Sequence, residues 1–136
     1  LLPEDYVGDV HLRLRLYKRI AGAADRERLD DLEAELGERF GPLPPAAQTL
    51  LRVAALKLRA ASLGIARLEL GAAGGLLRFG ERHQVDPVRV ISLVQRDPQR
   101  YRLDGSHGLR LSVPTADEAS RLRLAQQLLG ELGAAA

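Results

Sequence analysis

From Val10 to Tyr17 apolar and polar positions alternate strictly, and counted at a period of two this stretch is a strand. Counted at 3.6 residues per turn it is a helix. Val10, Leu14, Tyr17 and Ala21 then form one stripe with Leu12, Leu16 and Ile20 beside it, a broad face suited to packing between neighbours. Periodicity alone leaves both open. The next segment reads as a helix only: Asp25 can cap it, Leu29, Leu32, Leu36 and Phe40 recur at helical spacing, and Gly41-Pro42-Leu43-Pro44-Pro45 stops it. A third helix is predicted to start at these prolines, run through Leu50, Leu51, Ala54, Leu58 and Ala61, and end at Gly64.

Beyond Gly64 the pattern changes. Ile65 to Leu70 and Leu76 to Phe79 flank Gly71-Ala72-Ala73-Gly74-Gly75 and read as a hairpin with a glycine-rich turn. Asp86-Pro87 opens a short helix with Val90, Ile91 and Val94 on its apolar face. Tyr101 to Leu103 and Leu109 to Val113 bracket Asp104-Gly105-Ser106-His107-Gly108 as a second hairpin. Thr115 and Glu118 have the spacing of a capping box, and Leu122, Ala125, Leu128, Leu129 and Leu132 continue a last helix. The predicted class is α+β: three N-terminal helices, then two β-hairpins each followed by a helix, with no strand-crossover-strand repeat.

A chain of 136 residues suits one domain with one core. It is assigned to residues 1–132, and 133–136 are expected to fray. Aromatics make up only 4% of the residues, so the core must be aliphatic, which suits helices. There is no Met even at position 1, so the chain is expected to be a piece of a longer polypeptide. The absence of Cys excludes disulfides and thiolate chemistry and is compatible with a reducing cytosol, where the protein is expected to work. No apolar run approaches the roughly 18 residues of a membrane span, so no membrane partner is expected.

Catalytic chemistry finds no foothold. His11, His83 and His107 sit in unrelated segments without the spacing of a metal site. The Gly71 to Gly80 stretch lacks the spacing of a phosphate loop and joins strand to strand, so no helix N-terminus faces an anion. Ser62, Ser92, Ser106 and Ser120 lie in no nucleophile elbow. No catalytic, cofactor-binding or metal-binding residue is predicted, and the domain is expected not to be an enzyme.

Charge changes the picture more. Residues 9–20 carry Arg13, Arg15, Lys18 and Arg19 against Asp9, whereas residues 25–41 carry seven acids against three arginines. On a helical wheel Glu27, Asp31, Glu35 and Glu38 fall mostly opposite Leu29, Leu32, Leu36 and Phe40, with Arg28 and Arg39 along one margin. This acidic ridge is either an ordinary solvated face or a surface for a basic partner. Asp31 repels Glu35 at i, i+4, and Glu35 attracts Arg39 at the same spacing, each by a few tenths of a kcal/mol. The basic run could bind nucleic acid through its phosphates, but no stacking aromatics interleave it and the ridge would repel a polyanion. A solvated or intradomain ion-paired face is the alternative to that use.

Taken together, Leu2-Pro3-Glu4-Asp5-Tyr6, Asp9-Val10-His11, Arg13-Leu14, Leu16-Tyr17-Lys18-Arg19-Ile20-Ala21, Glu35-Leu36, Glu38-Arg39-Phe40-Gly41-Pro42-Leu43-Pro44 and Tyr101-Arg102-Leu103-Asp104-Gly105 resemble the C-terminal domain of bacterial transcription-repair coupling factors. The likeness covers nearly the whole chain, and it favours a helix for the first segment. It implies an autoinhibitory domain of a multidomain DNA translocase. In that family the domain packs on an N-terminal UvrB-like module of the same protein and covers the surface the module uses to bind UvrA. By motif match, Glu35, Glu38 and Arg39 are the implied interdomain contacts. The resemblance assigns RNA polymerase, DNA and UvrA to the parent protein as partners, and ATP and Mg to its motor domains alone, leaving this domain without a cofactor. The fragment itself is expected to be a monomer.

Overall fold

In the computed structural model, which describes residues 2–133, the alternating stretch is a helix. Helix α1 (Val10–Ala21) is capped by Asp9, whose carboxylate accepts from the backbone N–H of His11 at 2.8 Å and of Leu12 at 3.2 Å. These two amides, Leu12 foremost, hold the Asp9 carboxyl below its usual range. Alternation and helix coexist because every second alternating position is also an i, i+4 neighbour. The row Leu12, Leu16, Ile20 turns inward, with Leu16 and Ile20 buried. The other expected row does not: Val10 and Leu14 are 50% and 51% exposed. The broad face predicted from sequence therefore narrows to one inward row.

Helix α2 (Arg26–Phe40) is capped by Asp25, which accepts from the Arg28 N–H at 2.8 Å, and ends at Gly41 with φ 88°. Helix α3 (Pro45–Ser62) starts within the proline run, and Gly64 at φ 76° follows it. The length of the chain suggests one core, but it packs as two compact units, Leu1–Leu58 and Arg59–Ala136. In the first, Leu16, Ile20, Leu29, Leu32, Leu36, Ala47 and Leu51 form a buried aliphatic cluster together with Leu2 and Val7 from the segment before α1.

The second unit is built on an antiparallel sheet of β1 (Ile65–Leu70), β2 (Gly75–Phe79), β3 (Tyr101–Asp104) and β4 (Gly108–Leu111), in the order β1-β2-β4-β3. The two predicted hairpins are present, and pairing of β2 with β4 joins them. In register, Leu77 opposes Leu109, and Leu111 opposes Tyr101; all four are buried on one face. Arg67, Arg78, Arg102 and Arg110 alternate onto the other face, where Asp104 lies 3.6 Å from Arg78 and 3.8 Å from Arg110. Val90 and Leu93 of α4 (Pro87–Arg96) and Leu124, Ala125, Leu128, Leu129 and Leu132 of α5 (Glu118–Leu132) complete the unit's buried residues. Helix α4 contacts β3 and α5, and its Arg96 pairs with Glu131 at 3.1 Å.

Two local expectations are corrected. On α4 the inward residues are Val90 and Leu93, an i, i+3 pair, while Ile91 is 48% exposed. Asp117, not Thr115, caps α5: its carboxylate accepts from the Ser120 N–H at 2.8 Å. Thr115 is buried instead, and its hydroxyl donates to the Gly71 carbonyl at 3.0 Å, fastening the start of α5 to the β1–β2 turn. Thr115 is itself buried and its hydroxyl is spent on this contact, so tertiary contact displaces the capping box and the helix end is left to Asp117. Gly133 closes α5 by donating to the Leu129 carbonyl at 2.9 Å; the rest of the expected frayed tail, 134–136, lies outside the described residues. Among the described residues no helix is long and apolar enough to cross a membrane.

Candidate docking surface

The acidic ridge is the outward side of α2, and it exists because Leu29, Leu32 and Leu36 take the other side into the core. At its C-terminal end the ridge is an ordered ionic group. Arg19 reaches across from α1 and grips Glu35 with both guanidinium nitrogens, Nη1 to Oε2 at 2.7 Å and Nη2 to Oε1 at 2.9 Å. Arg39, one turn along α2, donates to the same Oε2 at 3.0 Å. Hydrogen bonds from Arg19, and then from Arg39, hold the Glu35 carboxyl down at about 2, against an ordinary 4.5. The group is partly exposed: the side chains of Arg19, Arg39 and Glu35 are 49%, 45% and 32% accessible, so solvent screens these charges.

Behind this group stands an aromatic support. The Arg39 guanidinium lies 5.0 Å from the centroid of the Phe40 ring, and Phe40 packs tilted against Tyr6 at 5.8 Å. The Tyr6 hydroxyl shares its proton between the carbonyls of Leu36 at 3.1 Å and Gly41 at 2.9 Å, tying it to the last turn of α2 and to the residue that ends the helix. Arg39 is thus held from two sides, by a carboxylate and by a ring whose own neighbour is hydrogen-bonded.

The structure brings Glu35 and Arg39 into direct contact through the i, i+4 attraction expected from sequence. Glu38 is not part of the group. It is exposed, and among the described residues neither it nor Asp31 forms an ion pair. A cleft of about 480 Å³ opens beside the group, lined by Gly22, Ala23 and Ala24, by the acids Asp31 and Glu35, and by the basic Lys18, Arg19 and Arg28. Arg39 does not line it. Sequence reasoning missed Arg19 as a member of the ridge. The available signal was its place in the basic run and the option of an intradomain ion pair, but which acid it meets depends on how α1 lies on α2.

The basic run is dispersed in the structure. Arg19 is engaged with Glu35, and Arg13 donates to the Val7 carbonyl at 2.9 Å, while Arg15 and Lys18 stay exposed. Of the histidines, His83 packs on Phe79 with ring centroids 5.0 Å apart and accepts from the Val85 N–H at 3.2 Å; His11 and His107 are exposed. Among the described residues no group of three or more His, Cys, Asp or Glu side chains could hold a metal ion.

A sequence model of the TRCF domain matches residues 1–90. The chain belongs to the TRCF domain family. Over 132 residues this TRCF domain is 42% identical to the transcription-repair-coupling factor of Escherichia coli (strain K12), a match covering 97% of this chain and 12% of that protein. Over 134 residues it is 40% identical to that of Haemophilus influenzae (strain ATCC 51907 / DSM 11121 / KW20 / Rd), covering 98% of this chain and 12% of that protein. The TRCF domain thus spans about an eighth of the length of these relatives. In fold it is similar to the crystal structure of the C-terminal domain of a transcription-repair coupling factor, with a TM-score of 0.72 and 19% identity, covering 99% of this chain and 89% of that one.

Proposed function

We propose that this TRCF domain is an autoinhibitory interaction domain of a transcription-repair coupling factor. It docks through Glu35, Glu38 and Arg39 on the N-terminal UvrB-like module of its own protein, masks the UvrA-binding surface of that module, and opens during transcription-coupled DNA repair in the bacterial cytoplasm. Residues 1–132 act as one domain, a reading supported by a family match that runs across the boundary between the two compact units. Engagement of RNA polymerase and DNA, and ATP-driven movement with Mg, belong to other segments of the parent chain; this domain contributes binding and needs no cofactor.

The observation that carries the reading is the fixed group at the end of α2, where Arg39 is clamped between Glu35 and Phe40 with Glu38 exposed beside it. A surface whose charged side chains are already ordered has less rotamer entropy to lose on docking. Exposed ion pairs contribute about 0–1 kcal/mol each, so a few of them plus modest burial give a contact that holds and still releases. The test is a titration of this domain against the N-terminal module across a salt series, for wild type and for Glu35→Arg, Glu38→Arg and Arg39→Glu. Binding that salt weakens and the reversals abolish, with circular dichroism unchanged, is the expected result. Binding that is absent, or indifferent to all three reversals, overturns it.

A further inference from the structure

We propose that the open face of the four-stranded sheet binds the phosphate backbone of duplex DNA without reading its sequence. Nothing in this depends on the docking ridge: Glu35, Glu38 and Arg39 belong to the first compact unit, and all four strands to the second. It adds a contact on this domain to the DNA engagement assigned above to other segments of the parent chain.

The register of the sheet carries it. On the face opposite the buried leucines, Arg67 of β1 stands directly across from Arg78 of β2, and Arg102 of β3 directly across from Arg110 of β4. Like charges set opposite each other destabilise a sheet, and here this happens twice on one face. The two acids of the face offset it only in part. Glu69 pairs with Arg67 at 2.7 Å, whereas Asp104 lies 3.6 Å from Arg78 and 3.8 Å from Arg110, and among the described residues Arg102 forms no ion pair. All four arginines are exposed, and each guanidinium keeps donors that no protein acceptor uses. An anion lying across the face takes up these donors and relieves the repulsion between the arginines.

The extent and character of the face favour a nucleic-acid duplex over an acidic protein. Arg67 and Arg102 lie on the edge strands β1 and β3, so the positive charge spans the whole sheet, roughly 14 Å at about 4.8 Å between strands. Over that length of axis a DNA duplex presents about eight phosphates. The planar fork of a guanidinium takes two oxygens of one phosphate. Among the paired outward positions Leu76 is the one large apolar side chain, and none is aromatic. A protein partner needs an apolar or aromatic centre, and a single strand needs rings on which to stack its bases. A duplex backbone needs neither, and its interfaces are polar and strongly positive on the protein side. The unit as a whole carries the same sign: residues 59–136 have eleven arginines against eight acids, while residues 1–58, which include the ridge, have nine basic residues against ten acids.

The test is a fluorescence-anisotropy titration of the 136-residue chain into short labelled DNA duplexes of several sequences, across a salt series. Wild type is expected to bind all of them alike, with a dissociation constant of about 10⁻⁴ to 10⁻⁶ M at physiological salt. The logarithm of the binding constant should fall against that of salt with a slope of roughly −3, as for three or four neutralised phosphates. Arg78→Gln, Arg102→Gln and Arg110→Gln should each weaken binding to every duplex and reduce the slope by about one. Asp104→Asn removes the acid between Arg78 and Arg110, keeps a side chain that the turn before Gly105 accepts, and should tighten binding and steepen the slope. Such a gain cannot come from a lost fold, and circular dichroism checks the arginine variants. Arg15→Gln and Lys18→Gln on α1 are expected to leave binding unchanged. Absence of binding at low salt overturns the proposal, and so does binding that the α1 variants weaken and the sheet variants do not. Competition by poly-glutamate as strong as by unlabelled duplex at equal charge overturns it too, and makes the face a site for acidic protein.

Discussion

The Tyr6 hydroxyl lies 2.9 Å from the carbonyl oxygen of Gly41, 35 residues further along the chain. With its second bond, to Leu36 at 3.1 Å, it fastens the segment before α1 to the end of α2, beneath Phe40 and Arg39. Tyr6→Phe keeps the ring and its packing but leaves both carbonyls one donor short. It is expected to lower stability by about 1 kcal/mol, read as a shift of the urea midpoint at unchanged slope. If the midpoint does not move, water replaces the hydroxyl without cost and the end of α2 is not anchored through Tyr6.

Glu35 makes stability depend on pH in acid. Its carboxyl titrates at about 2 in the folded domain and near 4.5 when free, so the folded state favours the ionised form. The stabilisation is fully present above about pH 4.5 and is lost as pH falls through the folded value near 2. Allowing for solvent on both guanidinium groups, its size is about 1 kcal/mol. Glu35→Gln should therefore lower the urea midpoint at pH 7 and leave a smaller difference from wild type at pH 3. Equal differences at the two pH values would show that the ion pairs add nothing to stability.

Gly64 tests the link between α3 and β1. It holds φ 76°, and a Cβ there would lie 2.5 Å from the His83 Cα and 2.8 Å from the Arg82 carbonyl oxygen, both backbone atoms. Gly64→Ala is expected to cost about 2 kcal/mol or more. At Gly8 nothing lies within 4 Å of an added Cβ, so Gly8→Ala should be neutral or slightly stabilising. Thermal melts of the two variants, compared directly, check the contrast; similar melts would count against the close approach at Gly64.

The start of α5 separates a cap from a tertiary tie. Asp117→Ala should destabilise the domain, whereas Glu118→Ala should not, since only Asp117 accepts from the helix. The Ser120 amide holds the Asp117 carboxyl below its usual range, so the contribution of the cap is present above the ordinary carboxylate pKa and fades as pH falls through the lowered value. Thr115→Val should cost about 1 kcal/mol by leaving the Gly71 carbonyl without its donor, and Thr115→Ser should recover most of it. Proton exchange at the Ser120 and Thr115 amides reports the two sites separately; faster exchange at both in either variant would mean that they act as one unit.

The linear order of side chains was enough for the elements. Their sequence and type, from three helices through two hairpins to the final helix, follow from apolar spacing and from Asp, Pro and Gly at the ends, because capping and turn chemistry act within a few residues of chain. The i, i+4 contact of Glu35 with Arg39 was legible for the same reason.

What tertiary structure decided lies between elements. Val10 to Tyr17 satisfies both periods, and only burial against α2 and α3 selects Leu16 and Ile20 as the inward row while Val10 and Leu14 face water. Pairing of β2 with β4 depends on two hairpins meeting, and the role of Thr115 on a turn 44 residues away. The resemblance picked out Glu35, Glu38 and Arg39 from a local motif, but that Glu35 spends both oxygens on Arg19 could not be read from it, since those side chains are 16 residues apart and meet only because α1 lies on α2. Local rules place a charge on a surface; packing determines which other charge stands within reach of it.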